Sequence, residues 1–129
     1  MTGGLTITAV DLTTGMVTIT NNGSDDADLT GYQLCNRPMY IPVPAEVLAP
    51  GASMEVALGD MSADGGEAAL YSSQSFGSAS DIVSYVVWGS EGGRQSVAEE
   101  AGLWTGDPIA DPGASITLTG EPNSADGWG

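Results

Sequence analysis

The chain has 129 residues, a length typical of one domain, and 41% of them are hydrophobic, which suffices for one core. Its 17 acidic residues far outnumber the two basic ones, Arg37 and Arg94, so the formal net charge is -15. This balance excludes a nucleic-acid surface of clustered Lys or Arg, and the lack of His beside the single Cys35 excludes imidazole catalysis and the usual zinc sites.

The first half of the chain alternates apolar and polar residues in short segments separated by turns, which is typical of half-buried strands. Residues 5–12 and 16–21 alternate in this way around the turn residues 13–15, and the pattern predicts a β-hairpin. A third strand is expected over residues 29–35. Residues 39–44 contain two prolines, which place this segment on a sheet edge or in a loop.

The second half predicts further strands. Residues 53–58 alternate again, and residues 67–71 are expected to pair back on them. Residues 82–88 are the most strongly strand-like segment, and residues 112–119 form a final alternating strand. Six or seven short strands at this spacing predict an all-β sandwich or barrel.

One segment breaks the strand pattern and predicts a short helix over residues 96–101. Ser96 is expected at the N-cap with Glu99 three residues later, the spacing of a capping box, and Gly102 is expected to end the helix. Trp104 is expected to cover an end of the core. The apolar side of this segment, expected to lie on the sheets, consists of Val97, Ala101 and Leu103.

Five segments together resemble the lamin tail domain family. Residues 6–10 and 15–23 are similar to the opening of these domains, and residues 27–34, Ala-Asp-Leu-Thr-Gly-Tyr-Gln-Leu, are similar to the family's Asp-Leu-Ser-Gly-Trp-Leu type of run. Residues 48–51, Leu-Ala-Pro-Gly, match its Leu-x-Pro-Gly turn, and residues 81–85 are similar to its closing strand. The similarity covers roughly residues 5 to 88.

The resemblance implies an immunoglobulin-like β-sandwich in a single domain over residues 1–129. Residues 5–88 would form its core, and residues 89–129 would add an elaboration with the short helix and an extra C-terminal strand. The resemblance gives the motif residues structural roles. These are Asn22 and Gly23 in a turn, Leu29 and Tyr32 in the core, and Gly31 where a side chain would be crowded.

Bacterial and archaeal relatives in this family often serve as accessory modules of secreted or surface proteins. In nuclear lamins the module binds proteins and, where its surface is basic, DNA. The two Arg and absent Lys of this chain do not support nucleic-acid binding, and its charge argues against docking on anionic lipid.

The densest acidic cluster is a weak candidate for calcium. Asp25, Asp26 and Asp28 lie in a loop, and a hard cation takes oxygen ligands from such loops. The segment lacks the bidentate Glu of the twelve-residue calcium loop, and the alternative is a solvated loop in which Asp28 bonds backbone N–H groups. No cofactor is therefore expected. Looser acidic clusters are Asp60, Asp64 and Glu67, and the pair Asp107 and Asp111.

The aromatic residues offer a second candidate site. A flat face for carbohydrate or a protein partner is one interpretation, whereas the other places Trp88 in a core strand and Trp104 between helix and sheet. Trp128 is left open between the two. The residues considered for this face are Trp88, Trp104, Trp128, Tyr40 and Tyr71.

Catalysis is not expected. The chain has no glycine-rich phosphate loop after a strand and no Gly-x-Ser-x-Gly elbow, and its carboxylates read as surface residues. Cys35 reads as a small buried thiol. Arg37 and Arg94 are each expected to pair with a carboxylate or to mark a subunit contact.

The acidic composition suits high salt, where self-repulsion is screened, and indicates a marine, halophilic or extracellular source. The N-terminus does not read as a signal peptide, and no apolar run reaches the roughly 18–20 residues of a bilayer span, so membrane insertion is not expected.

These observations favour a non-catalytic structural or protein-interaction module of a cell-surface or extracellular assembly. One alternative is a calcium- or carbohydrate-binding accessory domain of a secreted hydrolase. Another is a subunit of a homo-oligomer or filament, in which exposed strand edges pair between copies.

Overall fold

The computed structural model describes residues 4–36, 39–59, 64–90, 93–110 and 112–129. Within these ranges the chain forms short strands, one α-helix and a 3-10 helix at Ala125–Gly127. The strands and the α-helix are β1 (Leu5–Asp11), β2 (Met16–Asn21), β3 (Ala27–Asp28), β4 (Gln33–Asn36), β5 (Met39–Pro42), β6 (Val47–Leu48), β7 (Ser53–Ala57), β8 (Gly66–Tyr71), β9 (Ile82–Trp88), α1 (Gln95–Glu100) and β10 (Ser115–Thr117).

The strands form two four-stranded antiparallel sheets and one small pair. Sheet 1 has the order β10-β1-β2-β7, sheet 2 has the order β5-β4-β8-β9, and β3 pairs with β6. The structure confirms an all-β chain with a short helix. No helix among the described residues is long and apolar enough to cross a membrane.

The predicted hairpin of β1 and β2 is confirmed. Gly15 ends its turn with φ +77°, a conformation that glycine adopts without a steric penalty, and its N–H bonds the Asp11 carbonyl at 2.8 Å. The Asp11 carboxylate also accepts the N–H of Thr13 at 2.9 Å. Turn chemistry and apolar alternation therefore agree in this segment.

The strand expected over residues 29–35 begins later than predicted. Leu29 to Tyr32 form a turn, in which the Tyr32 N–H bonds the Leu29 carbonyl at 3.1 Å, and β4 starts at Gln33. Gly31 has φ +84°, and the nearest atom to a built Cβ is 3.9 Å away. Backbone conformation, rather than the crowding that the resemblance implied, therefore requires glycine here.

The chain crosses from one sheet to the other after β7. The prediction that residues 67–71 pair back on residues 53–58 is wrong, because β7 pairs with β2 whereas β8 pairs with β4 and β9. The expected edge position of residues 39–44 is confirmed, since β5 is the outermost strand of sheet 2.

Sheets 1 and 2 pack against each other around one core. Leu34 pairs with Leu70, and Leu70 with Ser84, so these side chains share one face of sheet 2. The Ser84 hydroxyl accepts the Ile7 N–H of sheet 1 at 2.9 Å, which turns this face toward sheet 1. Leu29 and Tyr32 are buried in the same core, as the resemblance implied.

The opposite face of sheet 2 is also buried. A cover layer, formed by Phe76, α1 and Trp104, lies on it: the Trp104 ring packs edge-on against Tyr85 with centroids 6.0 Å apart, and Phe76 packs against Tyr71 at 5.1 Å. Strands β8 and β9 are therefore buried on both sides. The buried side chains of this face include Cys35, Glu67, Ala69, Tyr71 and Tyr85.

Helix α1 differs from its prediction at the start and agrees at the end. Arg94 is the N-cap and no side chain caps the helix, so the predicted capping box at Ser96 is wrong. Tertiary contact with sheet 2 fixes this start instead. Gly102 ends the helix as predicted, with φ +77° and an N–H bond to the Glu99 carbonyl at 3.1 Å.

The residues of α1 that face sheet 2 are not the ones predicted. Gln95 and Ala98 are its buried residues. The side chains expected to face the sheets are only partly buried against the core; they are Val97, Ala101 and Leu103.

The predicted extra C-terminal strand is present as β10. Ile116 pairs with Val10 of β1. On its other side, Thr117 and Gly129 exchange two backbone hydrogen bonds, of 3.1 and 2.9 Å. This C-terminal clasp, residues 127–129, covers the outer edge of β10.

Candidate functional site

The acidic loop after β2 is held together by its own hydrogen bonds. Asn21 donates from its amide to the Asp25 and Leu48 carbonyls, at 2.8 and 2.9 Å. Asp28 accepts the Thr30 hydroxyl at 2.7 Å and the Thr30 N–H at 2.9 Å. Both bonds lower the pKa of Asp28 below its usual value, and the bond from the hydroxyl has the larger effect. One of the three calcium candidates therefore stabilises the local turn.

The structure does not assemble the acidic residues into a cluster. Asp25, Asp26 and Asp28 are exposed, and within the described ranges no group of three or more His, Cys, Asp or Glu side chains is placed to hold a metal ion. Asp64 is exposed whereas Glu67 is buried. Three residues of the other predictions lie outside the described ranges: Asp60, Asp111 and Arg37.

The predicted aromatic face does not form on the surface. Trp88 and Trp104 have no exposed area, which confirms the interpretation that places them in the core. Tyr71 is buried as well. Trp128 is 6% exposed, and its ring N–H bonds the Pro122 carbonyl at 3.3 Å, inside the C-terminal part of the fold. Of the five aromatic residues considered, Tyr40 alone is strongly exposed.

A buried polar centre joins sheet 2 to the cover layer. Glu67, 1% exposed, accepts the Tyr85 hydroxyl at 2.6 Å and the Arg94 backbone N–H at 2.9 Å on the same oxygen, Oε1. Burial raises the pKa of Tyr85 far above its ordinary value, and the nearby Glu67 is the second cause of this rise. Glu67 and Tyr85 are both almost fully buried, and their hydrogen bonds fix the cover layer on sheet 2.

The aromatic contacts continue from this centre to the surface. Tyr71 donates its hydroxyl to the Phe76 carbonyl at 2.6 Å, and burial raises the pKa of Tyr71 to about 12. The Phe76 ring lies 5.0 Å from the Tyr40 ring, and the Arg94 guanidinium lies 5.4 Å from the Phe76 centroid. The chain thus places a cation over the Phe76 ring, which also contacts Tyr40, at the edge of sheet 2.

These residues form a partly exposed surface, the β5 face, which consists of Tyr40, Phe76 and Arg94. The Met39 side chain lies on the opposite side of sheet 2, near Gly59, because successive side chains of a strand alternate. Met39 is 50% exposed and Tyr40 is 49% exposed, and both lie on the edge strand β5. Val47 is the other large hydrophobic residue that is strongly exposed in the described chain, and it lies on β6, outside this face. Tyr, Phe and Arg, the residue types of this face, are enriched at protein interfaces.

A separate cleft of about 290 Å³ opens between the two sheets. It lies where the start of β1 faces the start of β9, and the segments after α1 and before the 3-10 helix form its other sides. The residues that define its chemistry are Leu5, Thr6, Val83, Leu103, Glu121 and Pro122.

The cleft carries a few polar groups. Its Ser84 hydroxyl already accepts the Ile7 N–H, and no His or Lys exists in the chain to activate it. The lining mixes apolar side chains with the polar Thr6 and Asn123, and Glu121 supplies one carboxylate at the rim, where it is exposed. The volume is close to the lower end of the range for small-molecule pockets, about 300–1,000 Å³.

Sequence reasoning missed both the cleft and the polar centre. The cleft combines residues near position 5, near position 84 and near position 122, and no local pattern links these segments. The polar centre had one available signal in the sequence: Glu67 is the one charged residue of the otherwise apolar segment 67–71. The prediction assigned Glu67 to a loose surface cluster instead.

Comparison with models of protein families, with curated proteins and with solved structures gives no match to this chain.

Proposed function

We propose that this chain is a non-catalytic protein-interaction module of a cell-surface or extracellular assembly, with an immunoglobulin-like β-sandwich of the lamin-tail type. The observation that carries this proposal is the β5 face. Tyr40 holds half of its area in solvent, the Phe76 ring lies beside Tyr40, and the Arg94 guanidinium lies over the Phe76 ring. An aromatic and cationic patch of this composition is typical of an interface hot spot.

The strand order supports the immunoglobulin-like assignment. Sheet 1 contains β1, β2 and β7, and sheet 2 contains β5, β4, β8 and β9 in that order. If the strands are lettered in chain order, with β3 and β6 left out, with β5 written C′ because it pairs with C, and with the letter D unused, the sheets read A-B-E and C′-C-F-G. Distribution of consecutive strands over two antiparallel sheets in this manner is typical of immunoglobulin-like sandwiches. Strand β10 and α1 are additions to that pattern.

The lack of reactive pairs in the described ranges supports a non-catalytic role. The Ser84 hydroxyl is bonded to a backbone amide, and the Tyr85 and Glu67 pair is buried away from any substrate. Cys35 is a buried thiol. A nucleophile needs an adjacent base and access to substrate, and none of these groups has both.

The charge distribution supports a location in which salt screens repulsion. The formal net charge is -15, and the described Asp and Glu residues are mostly exposed. Such a surface stays hydrated, and salt screens the self-repulsion that would otherwise destabilise the compact state. An extracellular or halophilic setting is therefore part of the proposal.

The test compares partner capture by matched variants. Wild-type protein, Tyr40→Ser and the control Val47→Ser are immobilised and exposed to the extracellular fraction of the source organism. Both changes remove one exposed hydrophobic side chain, but only Tyr40 belongs to the β5 face. We expect wild type and Val47→Ser to retain the same protein and Tyr40→Ser to lose it. Equal capture by all three would contradict the proposal.

Sedimentation of the three proteins at rising salt distinguishes self-association through the same face from binding of a different partner. Pro42 lies on β5 and lacks a backbone N–H, which weakens pairing of this edge with a second copy. We therefore expect a monomer at all concentrations. An oligomer that Tyr40→Ser dissociates and Val47→Ser preserves would replace the partner proposal with a homo-oligomer.

A further inference from the structure

Sheets 1 and 2 have four outer strands in the described chain, and three of them carry features that hinder pairing with another strand. Pro42 of β5 lacks a backbone N–H. Ile109 bridges the free side of β9 at Trp88, and the C-terminal clasp covers β10. Proteins protect their sheet edges by such means against unwanted association.

The fourth outer strand, β7, has none of these features. It runs over Ser53–Ala57, contains neither Pro nor Gly, and pairs with β2 without a register shift. No strand among the described residues pairs with its other side. Strand β7 therefore presents a regular edge, which we call the β7 edge.

Hydrogen bonds at both ends of β7 show which of its backbone groups face outward. The Ala52 carbonyl accepts the Asn21 N–H at 2.9 Å. The Leu58 N–H bonds the Gly15 carbonyl at 2.8 Å. Because these directions alternate along an antiparallel strand, even-numbered residues face β2 and odd-numbered residues face away from it. The odd-numbered residues of β7 are Ser53, Glu55 and Ala57.

The residues that carry the outward backbone groups are accessible. Ser53, Glu55 and Ala57 are all exposed. Within the described ranges no other segment forms a hydrogen bond with the N–H or the carbonyl of these three residues. An incoming strand can therefore exchange two backbone hydrogen bonds with each of them.

A row of hydroxyl groups crosses the outer face of sheet 1 and ends at the β7 edge. The Thr8 and Thr20 hydroxyl oxygens lie 2.9 Å apart, and the Thr20 and Ser53 hydroxyl oxygens lie 2.8 Å apart. A Ser or Thr opposite Ser53 on an added strand continues this row. Cross-strand hydroxyl pairs of this kind stabilise a sheet.

The charge at the β7 edge favours a cationic segment over a second copy of this chain. Antiparallel pairing of two copies over the full length of β7 places the two Glu55 carboxylates opposite each other. Like charges directly opposite are destabilising, and each copy has a formal net charge of -15. A Lys or Arg at the same position forms a favourable pair with Glu55 instead.

We propose that the β7 edge binds an extended segment of a partner protein as an added antiparallel strand, with a Lys or Arg opposite Glu55 and a Ser or Thr opposite Ser53. The side chains between these positions lie on the core side, next to Met54 and Val56, and are therefore apolar. Main-chain hydrogen bonds supply affinity in this mode, and the alternate side chains supply specificity. The site lies on sheet 1 and does not depend on the β5 face.

The test uses a capped peptide of sequence Thr-Val-Lys-Val-Thr, titrated at about 0.15 M NaCl to limit non-specific attraction. Two further peptides carry one N-methyl group each, either on the Lys nitrogen, which faces β7 in the proposed register, or on the Val nitrogen that follows it, which faces away. The protein variants are Glu55→Gln, the control Glu100→Gln, which removes an exposed carboxylate on α1, and Tyr40→Ser of the β5 face. Hydrogen exchange of the Glu55 amide is measured with and without peptide.

We expect the unmodified peptide to bind wild type, Glu100→Gln and Tyr40→Ser equally, and to bind Glu55→Gln about two- to fivefold more weakly, the range of an exposed ion pair. Methylation of the Val nitrogen should preserve binding, whereas methylation of the Lys nitrogen should abolish it. Exchange of the Glu55 amide should slow when peptide binds.

Three results would each overturn the proposal: no binding at this salt, equal affinity of the two methylated peptides, or unchanged exchange at Glu55. Equal weakening by Glu55→Gln and Glu100→Gln would show diffuse charge attraction and would overturn it as well. Binding that Tyr40→Ser abolishes would place the peptide on the β5 face and not on the β7 edge.

Discussion

The Tyr85 hydroxyl donates a 2.6 Å hydrogen bond to Glu67 Oε1 between sheet 2 and the cover layer. The same oxygen accepts the Arg94 backbone N–H, at the start of α1. One carboxyl oxygen therefore connects two strands and a helix that are separated in sequence. A buried acceptor of this kind stabilises the fold only while its donors are in place.

Tyr85→Phe should destabilise the protein by about 1–3 kcal/mol, because it leaves a buried acceptor with one donor fewer and changes little else in the packing. The measurement is the free energy of unfolding in urea. Tyr40→Phe is the matched control, since its side chain is half-exposed, and it should leave the free energy nearly unchanged. A Tyr85→Phe protein as stable as wild type would show that the bond contributes nothing.

Stability should fall at alkaline pH because of two buried tyrosines. Burial raises the pKa of Tyr71 to about 12 and that of Tyr85 further. Tyrosines in the unfolded chain ionise near pH 10, so the stabilisation is complete below about pH 10 and is lost as the pH rises toward the folded values. Each group contributes a slope of up to about 1.4 kcal/mol per pH unit. Unfolding free energies between about pH 9 and 12 should show this decline, and Tyr71→Phe should make it shallower.

Thr30→Val should raise the pKa of Asp28 toward its ordinary value. The hydroxyl of Thr30 is the main cause of the lowered pKa, and its backbone N–H is the second. Because the folded pKa is depressed, the associated stability is present above the ordinary pKa of Asp and is lost as the pH falls through the folded value. Carboxyl resonances followed by NMR from neutral to acid pH test this. Thr14→Val, on a different turn, should leave the titration of Asp28 unchanged.

Gly127→Ala should detach the C-terminal clasp. A Cβ at this position would overlap the Glu121 carbonyl oxygen and lie 2.7 Å from its carbon. Overpacking of this kind typically costs about 1–3 kcal/mol. Thermal unfolding and exchange of the Thr117 amide, which bonds Gly129, report the loss. Gly77→Ala is the control, because no atom lies within 4 Å of its built Cβ, and it should leave both readouts unchanged.

The melting temperature should rise by several degrees in molar NaCl, because salt screens the repulsion behind the formal net charge of -15. CaCl2 at matched ionic strength should add nothing further. A calcium-specific gain of more than about 2–3 kcal/mol would contradict this and would support a site filled well above its dissociation constant. The loop of Asp25, Asp26 and Asp28 would then be the place to examine, with Asp25→Asn as the first variant.

Local signals predicted those parts of the fold that local chemistry determines. The β1–β2 hairpin follows from alternation and from Gly15, and the end of α1 follows from Gly102. The edge position of β5 follows from Pro42, which cannot donate to a ladder.

The two-sided burial of sheet 2 was not predictable in the same way. In strand β8 the successive residues Ala68 and Ala69 put an alanine on each face. The sequence pattern therefore does not show whether one face or both faces of the strand are buried. Glu67 reads as a surface residue until Tyr85 and the Arg94 N–H are brought to it. The passage of the chain from β7 to the other sheet has no local sequence signature either.

The pairing of β1 with β10 has a consequence for folding during synthesis. β1 is translated before β10, its partner on one side, and all the other strands lie between them in the sequence. Until then the ribosome-bound chain holds the hairpin of β1 and β2 with an open hydrophobic edge. Non-local pairing of this kind slows folding and exposes strands to aggregation. We therefore expect the hairpin to be most prone to aggregation before Ile116 can pair with Val10.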